Sequence, residues 1–187
     1  MTAGSGKWGF CHTDSIRCIM SKQSGTGSGS TSVGPSATLR EMTGGVSWSA
    51  GALSGAIATI AMGLVIVSTN TPTLRLAIAG LYAQQGLLAG WTAHVAHGTL
   101  FGLLFAVFLA DPTLESMSQS RWRTAIAGIV YGLMLALVGA GLIMPMWLNA
   151  MAFSAAPAIP YITVDTLMWH VVYGTVIGGV YPFLVKR

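Results

Sequence analysis

His94-Val95-Ala96-His97-Gly98-Thr99-Leu100-Phe101-Gly102 returns as His170-Val171-Val172-Tyr173-Gly174-Thr175-Val176-Ile177-Gly178, at an offset of 76 residues. Both copies read H-V-x-x-G-T-x-x-G, and five of nine positions agree. Each copy lies inside a charge-free run and sets a histidine four residues ahead of a GxxxG pair. Histidine is costly in hydrocarbon, and small residues at this spacing let membrane helices approach closely. The two stretches therefore imply helices that cross a bilayer and carry polar groups on their packed faces.

The rest of the chain agrees. Of its 187 residues, 53% are hydrophobic and 7% charged, with a mean hydropathy of +0.67. A soluble domain carries about 25% charged residues. Charge-free runs cover 43–74, 76–110, 124–164 and 166–185, and a spanning helix needs roughly 20 apolar residues. The second and third runs are too long for one helix and too short for two with a turn. This predicts an all-α membrane protein with four transmembrane helices near 46–68, 86–110, 124–147 and 166–184, with interfacial loops taking up the excess.

Basic residues orient the bundle. Lys7, Arg17, Lys22 and Arg40 precede the first span, Arg121 and Arg123 lie between the second and third, and Lys186 and Arg187 follow the fourth. The other two loops share Arg75 alone. The positive-inside rule then predicts a multi-pass protein of the cell membrane with both termini cytoplasmic. The formal charge of +4 is accounted for by this topology. No basic patch interleaved with aromatics points to nucleic acid, so the expected partner is the lipid bilayer, with a homo-oligomer or a larger membrane complex as further partners.

The segment 1–42 is of another kind. It has no apolar run of signal-peptide length, and from Ser21 to Ala37 it is almost wholly Ser, Gly, Thr and Lys. Such a stretch buries no core and is expected to be a disordered cytoplasmic tail. Its Cys11 and Cys18 match no common zinc spacing, and cytoplasmic thiols stay reduced.

Every span carries a GxxxG: Gly51/Gly55, Gly98/Gly102, Gly128/Gly132 and Gly174/Gly178. His94 shares a helix face with Gly98 and Gly102, as His170 does with Gly174 and Gly178, because all are spaced by four. His97 lies on the same stripe; its counterpart is Tyr173. The first and third spans align loosely through their glycine pairs at an offset of 77. This predicts two repeated hairpins related by an axis along the membrane normal. Spans two and four are then expected to pair across that axis, with His94 and His170 at matched depth in the outer half.

Three uses of these histidines stand side by side. They hydrogen-bond within the bundle, worth well under about 1 kcal/mol each; they ligate a metal or haem; or they serve translocation. A compact transition-metal site would draw on His94, His97 and His170, with Met144 and Met146 at the end of the third span; imidazole with thioether suits copper. Haem between two helices holds their axes apart, whereas direct GxxxG contact draws them together. Asp14, Glu41, Asp111, Glu115 and Asp165 all fall in the tail, loops or helix ends, which weakens an ion-coupled transporter. Asp111-Pro112 reads as a helix stop and Asp165 as an N-cap. The loop between the third and fourth spans, with Pro157 and Pro160, is expected at the interface or folded over the bundle mouth. No residue is assigned a catalytic role.

Gly80-Leu81-Tyr82, Gly90-Trp91-Thr92-Ala93-His94, Met144-Pro145-Met146-Trp147-Leu148 and Trp169-His170-Val171-Val172-Tyr173-Gly174 resemble stretches of a group of small archaeal four-span membrane proteins without an assigned activity. Some chains of that group carry the label histidine kinase. This sequence has no nucleotide-binding motif, and its paired histidines sit in membrane spans rather than beside an acidic residue on a soluble helix, so kinase activity is excluded on motif grounds. Two classes remain: a non-enzymatic membrane module or complex subunit packed through glycines, and a haem- or transition-metal-binding membrane protein.

Overall fold

A computed structural model describes residues 45–114, 117 and 120–185 of the chain. The tail 1–42 with Cys11 and Cys18, Glu115, and the basic pair Lys186 and Arg187 lie outside the described residues. All described elements are helical, and four helices are long and apolar enough to cross a membrane: Trp48–Ile78, Leu87–Leu109, Arg121–Ala150 and Val164–Leu184.

The first span is α1 (Trp48–Pro72) continued by π-helical turns over Thr73–Ile78. The second is α2 (Leu87–Leu109). The third runs through α3 (Arg121–Met134), a π-helical stretch Leu135–Ile143 and α4 (Met144–Ala150). The fourth is α5 (Val164–Leu184).

The first and third spans exceed their expected limits at 68 and 147, because the surplus length is helical rather than looped. In the first, Pro72 lacks an N–H and crowds the preceding turn, so α1 breaks at Asn70 (φ −154°, ψ 70°). Beyond the break, Leu74 and Ile78 bury themselves. A Cβ on Gly90 would overlap the Leu74 carbonyl, so only glycine lets the start of α2 lie against these turns.

Helix ends follow local chemistry. Asp111 Oδ1 accepts from the Thr113 amide (2.8 Å) and hydroxyl (2.5 Å), which closes the turn after α2 and holds the carboxyl below its usual range. The fourth span starts earlier than expected. Thr163 is its N-cap, its hydroxyl oxygen accepting from the Thr166 amide at 3.1 Å. Asp165 instead occupies the first turn, where its charge favours the helix dipole.

Glycines set the two tight hairpins. A Cβ on Gly55 would stand 2.7 Å from Gly102 Cα, and one on Gly51 2.7 Å from Ala106 Cβ. In the second hairpin, a Cβ on Gly128 would stand 2.7 Å from Gly178 Cα, and one on Gly132 3.0 Å from Gly174 Cα. Side chains at these positions would force the backbones apart. The registers differ, however. Gly55 faces the Gly98 carbonyl and Gly102, whereas Gly128, not Gly132, faces the Gly174 carbonyl and Gly178. The second contact is displaced by one helical turn relative to the alignment at an offset of 77.

The hairpins join through α1 and α5, not through the expected pairing of spans two and four. The reason lies in α1, which is narrow on two sides. Gly51 and Gly55 face α2, while Ala50, Ser54 and Ala58 are also buried. Half of its most apolar stretch is enclosed, against 33% for the third and fourth spans. Trp169 Nε1 adds a bond to Thr69 Oγ1 at 3.0 Å. The order of neighbours is α2, α1, α5, third span.

That order leaves one open edge. Among the described residues, α2 and the third span share no broad helix–helix face. Toward the end holding Tyr181 the edge is closed by aromatics: Phe105 lies 5.2 Å from the Tyr131 ring and 5.6 Å from the Tyr181 ring, centroid to centroid. Tyr131 Oη donates to the Phe101 carbonyl at 2.8 Å. Toward the other end the helices stand apart.

Candidate functional site

The space left on that edge is a cavity of about 480 Å³. Its floor is Phe101 and Tyr173, one wall carries His94 and His97 of α2, and the opposite wall is the π-helical stretch from Leu135 to Ile143 with Met144. His170 of α5 lines it from behind, and Tyr82 and Trp147 stand at its rim. Thus His94, His97, His170 and Met144 border one cavity. Met146 does not line it and is 58% exposed.

Local structure explains why the cavity persists. A π turn carries an extra residue, so it widens the helix and re-aims its side chains. Here it also presents Gly139, where a Cβ would meet nothing within 4 Å. The stretch is tied back from the loop: the Tyr161 amide donates to the Gly141 carbonyl at 2.8 Å. Trp147 Nε1 donates to the Leu81 carbonyl at 2.8 Å, bridging the third span to the loop between α1 and α2. Phe153 packs against Gly80, so the loop with Pro157 and Pro160 folds onto this end of the bundle.

The three imidazoles differ in what holds them. His170 Nδ1 lies 2.8 Å from the Thr166 carbonyl. A carbonyl only accepts, so Nδ1 carries the proton and Nε2 of the neutral ring is an acceptor. His97 Nε2 lies 2.7 Å from Tyr82 Oη, with the two rings stacked at 5.6 Å. His94 is 7% exposed. It stands edge-on to Trp91 at 6.1 Å, and its Nε2 is buried and makes no well-formed hydrogen bond among the described residues, the Thr59 backbone being the one backbone group that bears on the ring. An orphaned buried polar atom costs roughly 1–3 kcal/mol.

No Asp, Glu, Lys or Arg among the described residues lines the cavity. Among the described residues, no three His, Cys, Asp or Glu side chains converge closely enough to hold a metal ion. The other hydroxyls nearby are engaged: Thr59 Oγ1 donates to the Gly55 carbonyl at 2.7 Å and Tyr173 Oη to the Gly98 carbonyl at 2.9 Å. The arrangement offers hydrogen-bonding imidazoles in an apolar chamber, one of them paired with the Tyr82 hydroxyl.

Sequence reasoning did not find Tyr82, Trp147 or the wall around Gly139 as parts of the site. Tyr82 and Trp147 look like interfacial anchors in sequence, and a π turn leaves no distinct spacing to read. Tyr173 carried a usable signal, since it replaces His97 in the second copy. Its hydroxyl reaches across to the backbone of the first copy at Gly98. No protein-family model, curated protein or solved structure matches this chain.

Proposed function

We propose that this chain is a non-enzymatic membrane binding module, built as two repeated hairpins, whose cavity holds a small ligand between His94, His97 and His170. The observation that carries this reading is the unpartnered, buried Nε2 of His94 on the wall of a chamber of about 480 Å³. Protein groups normally satisfy buried polar atoms, and ligand sites are apolar concavities of ~300–1,000 Å³ with a few placed polar groups. By the excess of basic residues on the other side, the cavity belongs to the outer half of the cell membrane. Both termini are then cytoplasmic.

Haem or transition-metal binding is the second reading. His94, His97 and His170 with Met144 on one chamber favour it, since imidazole and thioether are good ligands for copper. It requires the side chains to converge further than they do here.

The test uses Gly139→Phe, which places a ring where a side chain meets no neighbour. Wild type and variant are purified in mild detergent, and their organic extracts, metal content and visible spectra are compared. Wild type should retain a molecule or ion that Gly139→Phe lacks, while both melt cooperatively. Identical extracts with unchanged melting would remove the binding reading and leave a packing scaffold or complex subunit.

A further inference from the structure

We infer that the cavity takes a neutral, lipid-soluble ring bearing a hydroxyl group, a hydroquinone being the simplest case. This rests on the binding reading above and names the chemistry of its ligand.

Charge is the first constraint. Among the described residues, the lining has no ionisable acid or base other than its imidazoles and tyrosines. A buried, unpaired charge is strongly unfavourable, so a carboxylate, phosphate or ammonium ligand would find no counter-charge. Size is the second. A bare ion would leave most of about 480 Å³ unfilled, and among the described residues no three imidazoles gather closely enough to hold one. Separated polar groups on an apolar wall suit a molecule with an apolar body and oxygen atoms at its edge.

The third constraint is access. The exposed lining residues Met134, Val138 and Ile143 run along one side of the third span, on the edge where α2 and that span share no broad face. In a bilayer this opening faces hydrocarbon, so a ligand dissolved in the membrane reaches it laterally. Aromatic lining from Phe101, Tyr173 and Trp147 favours a ring.

Hydrogen-bond direction then chooses between oxidation states. With Nδ1–H fixed on the Thr166 carbonyl, His170 Nε2 accepts and does not donate. A quinone carbonyl is also an acceptor and gains nothing there, whereas a quinol hydroxyl donates to it. His94 Nε2 is unpartnered and takes either role according to its tautomer. The site therefore prefers the hydroxyl-bearing form.

The experiment places the full chain in lipid nanodiscs and titrates it with menadiol under anaerobic conditions, then with menadione, reading ligand fluorescence and melting temperature. Menadiol should bind saturably and raise the melting temperature, with menadione weaker by about tenfold, one hydrogen bond's worth. His170→Phe should weaken menadiol about tenfold and erase the difference between the two forms. Gly139→Phe should abolish saturable binding of both. Equal binding of the two forms, unchanged in His170→Phe, overturns the assignment. If copper(I) or haem loads instead and is lost on His94→Phe, the hydroxyl-ring assignment falls and the binding module stands. If nothing saturates and Gly139→Phe matches wild type, both fall.

Discussion

At the level of single residues, the molecule depends on positions where nothing larger than hydrogen fits. Gly98 is the most constrained of the glycines in the histidine stripes. A Cβ there would overlap the Thr59 hydroxyl and stand 2.5 Å from Thr59 Cβ. Thr59 cannot swing aside, because its hydroxyl is bonded to the Gly55 carbonyl at 2.7 Å and the residue is fully buried. Gly98→Ala should therefore destabilise the protein by about 1–3 kcal/mol, the range for overpacking a dense core. Thr59→Gly removes the obstructing side chain, so the double variant should recover part of that loss. Thermal unfolding of the two single variants and the double variant in detergent measures the coupling; simple additivity would show that the two sites do not meet. Gly98 was legible in sequence as half of a GxxxG. Thr59 was not, because a threonine in an apolar span has no spacing that tells which neighbour it touches.

At the level of elements, the sequence located four helices but cut the first and third short. Hydropathy marks where charge is absent, and it says nothing about whether an apolar stretch continues as helix. The surplus in the first and third spans became π-helical turns, Thr73–Ile78 and Leu135–Ile143, whose i-to-i+5 bonding has no sequence period of its own. The start of α5 shows the same limit in smaller form. Asp165 is the stronger cap by charge, yet Thr163 lies where the chain turns helical and bonds the Thr166 amide. Thr163→Ala should cost about 1 kcal/mol, the usual loss of an N-cap. Asp165→Asn keeps the cap and loses only a dipole interaction, about 0.3–1 kcal/mol and salt-sensitive. Chemical denaturation of both variants at low and high salt separates them. A larger, salt-dependent loss at Asp165 would return the cap to that residue.

At the level of the whole molecule, the sequence marked the glycines that pack tightly, but neither which span each one meets nor how the hairpins join. Every GxxxG lies against its hairpin partner. The matched histidines suggested that spans two and four would cross. Instead, α1 takes a neighbour on each side because its small residues wrap two faces, and the bundle opens between α2 and the third span. The sidedness of that opening would decide which leaflet supplies the proposed ligand. On the topology proposed from eight basic residues against Arg75 alone, the cavity, at the end with Tyr82 and Trp147, is expected on the outer side. Gln84 and Thr113 are both exposed and flank opposite ends of α2. With Cys11 and Cys18 replaced by serine, a membrane-impermeant maleimide on intact cells should label Gln84→Cys, and should label Thr113→Cys only after permeabilisation. The reverse pattern would invert the bundle, and the cavity would then draw on the cytoplasmic leaflet.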